Sequence, residues 1–163
     1  MKSILSVLVE NKAGILARTA GLFARRGFNI ESLAVGETLD SRVSRMTIVA
    51  DGDQEIVKQL EKQLNKQIDV IKVRVLCTGD AMCREAALIK VKAGAGERGQ
   101  ITDIAAIMKA SIIDLSPSTA TLEIIDTPER VRQLLDLLAP YGISEMARTG
   151  TVALLKGESS LCI

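Results

Sequence analysis

Histidine and tryptophan are absent from the 163 residues, and only Phe23, Phe28 and Tyr141 are aromatic. Without histidine the chain lacks the commonest general base and the commonest metal ligand. Ser-His and Cys-His dyads are excluded, as are zinc sites of mixed Cys/His type. The three cysteines, Cys77, Cys83 and Cys162, include no Cys-x-x-Cys pair and are too few for an all-cysteine zinc site within one chain. They read as reduced thiols of a cytoplasmic protein. Neither sign of charge dominates: 21 Lys plus Arg face 20 Asp plus Glu, a net +1. That balance suggests no nucleic acid and no membrane surface as partner. The apolar run before Glu10-Asn11-Lys12 is too short for a signal peptide, and no run approaches the roughly 20 residues of a membrane span. What is present is 47% apolar and 25% charged, the composition of a folded chain of one ordinary domain or two small ones.

Hydrophobic periodicity gives the order of elements. Ile4–Val9 reads as a strand, broken by Asn11-Lys12-Ala13-Gly14. Ile15, Leu16, Thr19, Ala20, Leu22 and Phe23 recur at helical spacing, and Gly27 stands where a left-handed cap belongs. Ile30–Val35 and Val43–Ala50 are strands, the latter with Met46, Ile48 and Ala50 on one face. Asp51-Gly52-Asp53-Gln54 looks like a cap for a helix striped by Ile56, Val57, Leu60 and Leu64. Ile71, Val73 and Val75 alternate with Lys72 and Arg74 in a fourth strand. Residues 77–84 read as a linker. The order then repeats: strand 86–91, glycine-rich loop 94–99, helix with Ile101, Ile104, Ala105 and Met108, and strands 112–115 and 119–125. Thr127-Pro128 caps a helix striped by Val131, Leu134, Leu135 and Leu138, and strands at 143–148 and 151–155 close the sheet. Two βαββαβ units in tandem make an α+β fold of two ferredoxin-like sandwiches, each with both helices on one face of an antiparallel sheet. In this topology the strand at 29–36 is an edge. Its Leu33-Ala34-Val35 stretch has no lysine, proline or bulge signal to block pairing, which predicts a dimer through that edge.

Four constellations bear on function. Gly94-x-Gly96-x-x-Gly99 stands between a strand and a helix, with Asp114 downstream, as in a dinucleotide fingerprint. That fingerprint needs a parallel βαβ unit. Here the Ser-Pro-Ser turn at 116–118 forces the next two strands antiparallel, so the segment reads as a flexible loop. The βαββαβ order also belongs to an RNA-recognition module, which stacks bases on aromatics of its central strands. Strands 4–9 and 43–50 contain none. Catalysis by Asp, Glu, Lys or Cys lacks any marked pair. The fourth is the loop Glu10–Leu16. A helix N-terminus offers unpaired N–H groups and partial positive charge for a carboxylate. Gly14 lets the backbone approach a ligand, Ile15 and Leu16 supply apolar walls, and Asn11 and Asn29 can bond the ends of a zwitterion. On these residues alone, a site shared between two subunits and a mere cap and turn remain equally open.

The stretch Leu8–Arg18, with Gly21–Leu33, resembles the ACT domain of the regulatory small subunit of acetohydroxyacid synthase, also called acetolactate synthase. Ser44–Val49 and Gln59–Lys66 look like further blocks of that family. Glu85, Leu88–Val91, Ile113-Asp114 and Ala147-Arg148-Thr149-Gly150 are similar, more loosely, to its second domain. The resemblance divides the chain into an ACT domain at 1–77, for effector binding and dimerisation, and a C-terminal ferredoxin-like domain at 84–163. It implies a non-catalytic, cytoplasmic role with no catalytic residue, metal ligand or cofactor in this chain. Thiamine diphosphate, magnesium and FAD are expected on the catalytic large subunit. The small subunit activates that partner and confers feedback inhibition by a branched-chain amino acid, usually valine. Asn11, Gly14 and Asn29 match the effector positions, and Ala13, Ile15, Leu16 and Ile30 are the neighbouring wall and backbone positions. The alternative is a free-standing ACT-type amino-acid sensor without a catalytic partner.

Overall fold

The computed structural model describes residues 2–52, 54–77 and 79–162. Asp53, within the expected capping sequence of the second helix, lies outside them. The chain divides into two compact units, Met1–Met82 with Thr151–Ile163, and Cys83–Gly150.

The first unit runs β1 (Lys2–Glu10), α1 (Ile15–Arg25), β2 (Ile30–Glu37), β3 (Val43–Asp51), α2 (Gln54–Leu64) and β4 (Val70–Leu76). Its antiparallel sheet has the order β2-β3-β1-β4, so β2 is an edge as expected. Alternate residues Leu5, Val7 and Val9 of β1 and Met46, Ile48 and Ala50 of β3 pack under Ile15, Leu22 and Phe23 of α1 and Leu60 and Leu64 of α2. Gly27, at φ 70°, ends α1 in the left-handed region that favours glycine.

Two one-residue bulges adjust this layer. On β4, Val9 faces Val70 while Leu8 faces Lys72, leaving Ile71 without a partner in the ladder. Val70 and Val73 both pack on the core, and Ile71 is exposed, so the simple alternation from Ile71 fails at its first position. On β2, Ile30 faces Ala50 and Ser32 faces Val49, with Glu31 as the extra residue. Ile30 and Leu33, three apart, therefore both face the core.

The opposite face is also dry over the two central strands. Ile4, Ser6 and Leu8 of β1 and Val43, Thr47 and Val49 of β3 are buried. A two-layer sandwich leaves that face to water. Residues 151–162 cover it here. Thr151 N–H donates to Ser32 Oγ at 2.7 Å. Leu161 packs on Leu8 and Val43. Arg45 Nη2 donates to the Leu161 carbonyl at 2.8 Å, and Lys72 Nζ to that of Cys162 at 3.0 Å. The second domain read from the sequence runs on to residue 163. In the structure the second unit ends at Gly150, and the following segment belongs to the first.

The second unit runs β5 (Ala81–Lys92), α3 (Arg98–Met108), β6 (Ser111–Leu115), β7 (Thr119–Asp126), α4 (Pro128–Leu138) and β8 (Ile143–Arg148), with sheet order β6-β7-β5-β8. Ala87, Ile89 and Val91 of β5 and Ala120, Leu122 and Ile124 of β7 meet Ile101, Ala105 and Met108 of α3 and Val131, Leu134 and Leu138 of α4. β5 starts at Ala81, inside the expected linker, and a short strand, β9 (Val152–Leu155), lies in the segment that follows Gly150. β6 and β7 are antiparallel, as the Ser-Pro-Ser turn requires. The glycine-rich loop is braced by hydrogen bonds: Gly94 N–H donates to Glu97 Oε2 at 3.1 Å, and Arg98 Nη2 donates to the Ser116 carbonyl at 3.0 Å. Glu85, deeply buried, accepts from Arg148 Nε at 2.6 Å, which joins two residues far apart in the sequence.

Thr127 caps α4 as its sequence predicts, its Oγ1 accepting from Arg130 N–H at 3.3 Å with Pro128 in the first turn. Asp126 accepts from Arg130 Nε at 2.9 Å and from Thr127 N–H at 2.8 Å. The Arg130 hydrogen bond, with help from the Thr127 N–H, holds the Asp126 carboxyl below its ordinary range. Thr127→Ala should lower stability by about 1 kcal/mol in urea unfolding. Because the folded-state pKa of Asp126 is depressed, its stabilisation is present above the unfolded value of about 3.9 and is lost as pH falls through the folded value. Asp126→Asn should therefore be less stable than the unmodified chain near pH 7, with the difference closing in strong acid. A pH-independent difference would contradict the assignment.

Candidate functional site

The expected effector residues fall into two groups at opposite ends of the first sheet. The first group is built where β1 runs out. Glu10 N–H donates to the Asp69 carbonyl at 2.9 Å and Asn11 N–H to that of Arg42 at 2.7 Å, which fixes the loop against the β2–β3 turn. Asn11 Nδ2 donates to Glu37 Oε1 at 3.0 Å and to the Ser41 carbonyl at 2.8 Å. Both amide hydrogens are thus engaged, and Oδ1 is the atom with which Asn11 can meet a ligand.

Gly14 follows at φ 85°, in the left-handed region, as the residue that opens α1. No side chain caps this helix, and its first turn carries no acid. The contrast is with α4, which has both Thr127 and Glu129 in those roles. The first-turn N–H groups of α1 have no partner within the helix, so its start keeps its partial positive charge. The cations beside it are already matched: Lys12 Nζ lies 2.5 Å from Glu10, and Arg18 Nη2 lies 2.7 Å from Asp69. The Glu10 carboxylate, hydrogen-bonded to it, raises the pKa of Lys12. The turn below is stiffened by Asp40, whose pKa the Arg42 guanidinium and N–H bring down to about 2.

Ala13 and Leu16 are exposed at this end, Leu16 by 45%. Ile15 is not a wall: its side chain turns inward and is 3% exposed among the core residues. The α1 stripe needs it there, which leaves only its backbone on the side open to a ligand. Glu37 joins the group without having been singled out by the sequence. Its carboxylate accepts from Asn11 Nδ2, and Asn11 stands three residues before Gly14, which opens α1. That pairing suits the ammonium and the carboxylate of one amino acid.

The second group, Asn29 and Ile30, stands at the start of β2. Asn29 is exposed and Ile30 packs partly on the core. Glu10 lies opposite Val43, and Ile30 lies opposite Ala50. These β3 positions are about 23 Å apart at 3.3 Å per residue. Within one chain Asn11 and Asn29 do not meet. Among the described residues no three His, Cys, Asp or Glu side chains gather as a metal site, and no helix is long and apolar enough to cross a membrane.

Comparison with known proteins bears on both units. The family described as AHAS small subunit-like ACT domain matches residues 5–72, and the family described as small subunit of acetolactate synthase matches 84–157. A probable acetolactate synthase small subunit of Archaeoglobus fulgidus is 49% identical over 158 residues, covering 97% of this chain and 99% of that protein. The acetolactate synthase small subunit of Mycolicibacterium smegmatis is 48% identical over 157 residues, covering 96% and 92%. The crystal structure of the acetolactate synthase small subunit from Thermotoga maritima superposes with a TM-score of 0.91 at 37% identity, covering 98% of this chain and 99% of that one. With two family matches in tandem, near-complete coverage of its relatives and the same fold, the chain belongs to the family of acetolactate synthase small subunits.

Proposed function

We propose that this chain is the non-catalytic regulatory subunit of acetolactate synthase: it binds a catalytic large subunit, raises its activity and makes it sensitive to a branched-chain amino acid, valine first among them. The observation that carries the effector reading is the uncapped, acid-free start of α1 set against Asn11 and Glu37. Membership of a small-subunit family supports the partner. Thiamine diphosphate, magnesium and FAD belong, on this reading, to the large subunit, where they supply the chemistry that condenses two 2-keto acids. The second unit weighs against a free-standing sensor, because amino-acid binding needs only Asn11, Gly14 and Asn29, all in the first.

A second copy of the chain would complete the site. β2 is an edge, and Leu33-Ala34-Val35 carries no charge or proline to blunt it. Antiparallel pairing of two β2 strands about a two-fold axis sets the start of one beside the end of the other. Asn29 of one copy then comes to the end of β2 that holds Asn11, Gly14 and Glu37 of the other. The helix start takes the ligand carboxylate, Asn11 Oδ1 and Glu37 take the ammonium, and Leu16 lies against the branched side chain. Symmetry gives two such sites per dimer. A ligand held by both copies inhibits only through tighter binding to the inhibited arrangement than to the active one.

Three outcomes follow. Sedimentation should show a dimer at micromolar concentration. Val35→Lys should weaken it by bringing like charges together across the axis without disturbing the core, since Val35 is exposed. A monomer for the unmodified chain would remove the shared site. The chain alone should form no acetolactate, and added to its catalytic subunit should raise acetolactate formation; turnover by the chain alone would overturn the regulatory reading. Gly14→Asp sets a carboxylate where the ligand's own belongs, and Asn29→Ala removes a polar partner at a cost of about 1–3 kcal/mol. Each should raise the half-inhibitory valine concentration roughly ten- to a hundredfold while activation persists. Unchanged valine titrations would place the effector elsewhere.

A further inference from the structure

Ser32 stands three residues beyond Asn29, on the far side of the Glu31 bulge. The bulge sets its direction: with Ile30 and Leu33 both inward, Ser32 is turned to the opposite face of the sheet. There its Oγ accepts the N–H of Thr151 at 2.7 Å. Thr151 is 3% exposed, too buried for water to satisfy that N–H easily. Glu31, the residue outside the ladder, is held by Lys2 Nζ at 2.7 Å.

Thr151 opens the segment that crosses the face. The same segment is fixed to the three other strands: to β3 through Arg45 and Leu161, to β1 through Leu161 on Leu8, and to β4 through Lys72 on Cys162 and Arg74 on Ser160. One end therefore follows the start of β2, and the other follows the body of the sheet. A bulge is where a strand can shift against its neighbour, because its ladder is already interrupted. Thr151 is also joined, through Gly150, to the end of the second unit.

We propose that residues 151–162 transmit occupancy of the effector site, and that Ser32 is the positioning residue through which they do so. The inference rests on the effector reading above. A ligand engaging Asn29 and Ile30 fixes the start of β2. Ser32 moves with it, and Thr151 follows because its buried N–H keeps its acceptor. The displacement passes along the backbone through Gly150 into the second unit. Ser32 itself touches no ligand, since it faces the side of the sheet away from α1.

The test separates binding from response, using the full-length chain and its complex with the catalytic subunit. Valine binding is measured by calorimetry on the small subunit and inhibition on the complex. Ser32→Ala should bind valine within about threefold of the unmodified chain, yet need roughly tenfold more valine for half-inhibition, or lose part of the maximal inhibition. Ser32→Thr, which keeps the acceptor, should behave as unmodified. Leu161→Ser, which loosens the far end of the segment, should resemble Ser32→Ala. In the unmodified chain, valine should alter hydrogen exchange at the Thr151 amide. Unaltered inhibition in Ser32→Ala, inhibition and binding lost in step, or exchange at Thr151 indifferent to valine would each overturn the proposal while leaving the effector reading intact. Failure of the unmodified chain to bind valine, leucine or isoleucine would overturn the effector reading and this inference with it.

Discussion

From Ile4 to Val9, β1 is buried on both faces, and the elements around it are arranged to keep it so. Leu5, Val7 and Val9 face the two helices, while Ile4, Ser6 and Leu8 face the segment that returns from the second unit. Burial of each large aliphatic side chain contributes on the order of 1.5–3 kcal/mol, so a strand that buries both rows requires a cover on both sides. Once helices and returning segment occupy the two faces, a further chain can extend the sheet only at its edges. At the β4 edge, Lys72 and Arg74 are engaged with the returning segment. On the proposed reading it is the β2 edge, free of charge and proline over Leu33-Ala34-Val35, that a second copy takes. On that reading the dry strand limits where association can occur, and association brings Asn29 to Asn11.

Both βαββαβ orders were legible because each uses undiluted local signals. Met46, Ile48 and Ala50 alternate as a strand does, Val131, Leu134 and Leu138 recur as a helix does, and Thr127-Pro128 starts α4 at the position those residues specify. The bulges were not legible. A single extra residue at Glu31 or Ile71 changes the partner of every residue beyond it, yet neither glycine nor proline marks either place. The returning segment was missed although a signal for it existed: Ile4-Leu5-Ser6-Val7-Leu8-Val9 is almost continuously apolar, the mark of a strand buried on two sides rather than one. Its partner, Leu161, lies so far along the chain that no local pattern connects them.

The site shows the same division. Asn11 and Gly14 are readable because their roles are local: one ends a strand, the other opens a helix at positive φ. Glu37 was not, because its part depends on a hydrogen bond to an amide 26 residues away. Ile15 was misread because one residue cannot both fill the α1 core stripe and line a surface pocket. Asn29 is the furthest from local reading, since on the proposed account its partner residues belong to another molecule. Ser32 carries no signature at all; its significance comes from a bulge that reverses its face and from a buried N–H 119 residues later.

On the proposed reading a second copy of the chain completes the effector site, and mixed dimers distinguish that arrangement from a site held within one chain. Chains carrying Gly14→Asp spoil the helix start, and chains carrying Asn29→Ala spoil the strand start. If the two halves come from different copies, a dimer of one chain of each kind contains one doubly spoiled site and one intact site. Each variant alone should bind valine poorly. After exchange of equal amounts, calorimetry should recover unmodified affinity at roughly a quarter of the sites, because random pairing makes half the dimers mixed. If the mixture binds no better than the two variants separately, although the chains have exchanged, the two halves belong to the same chain and the shared site is wrong.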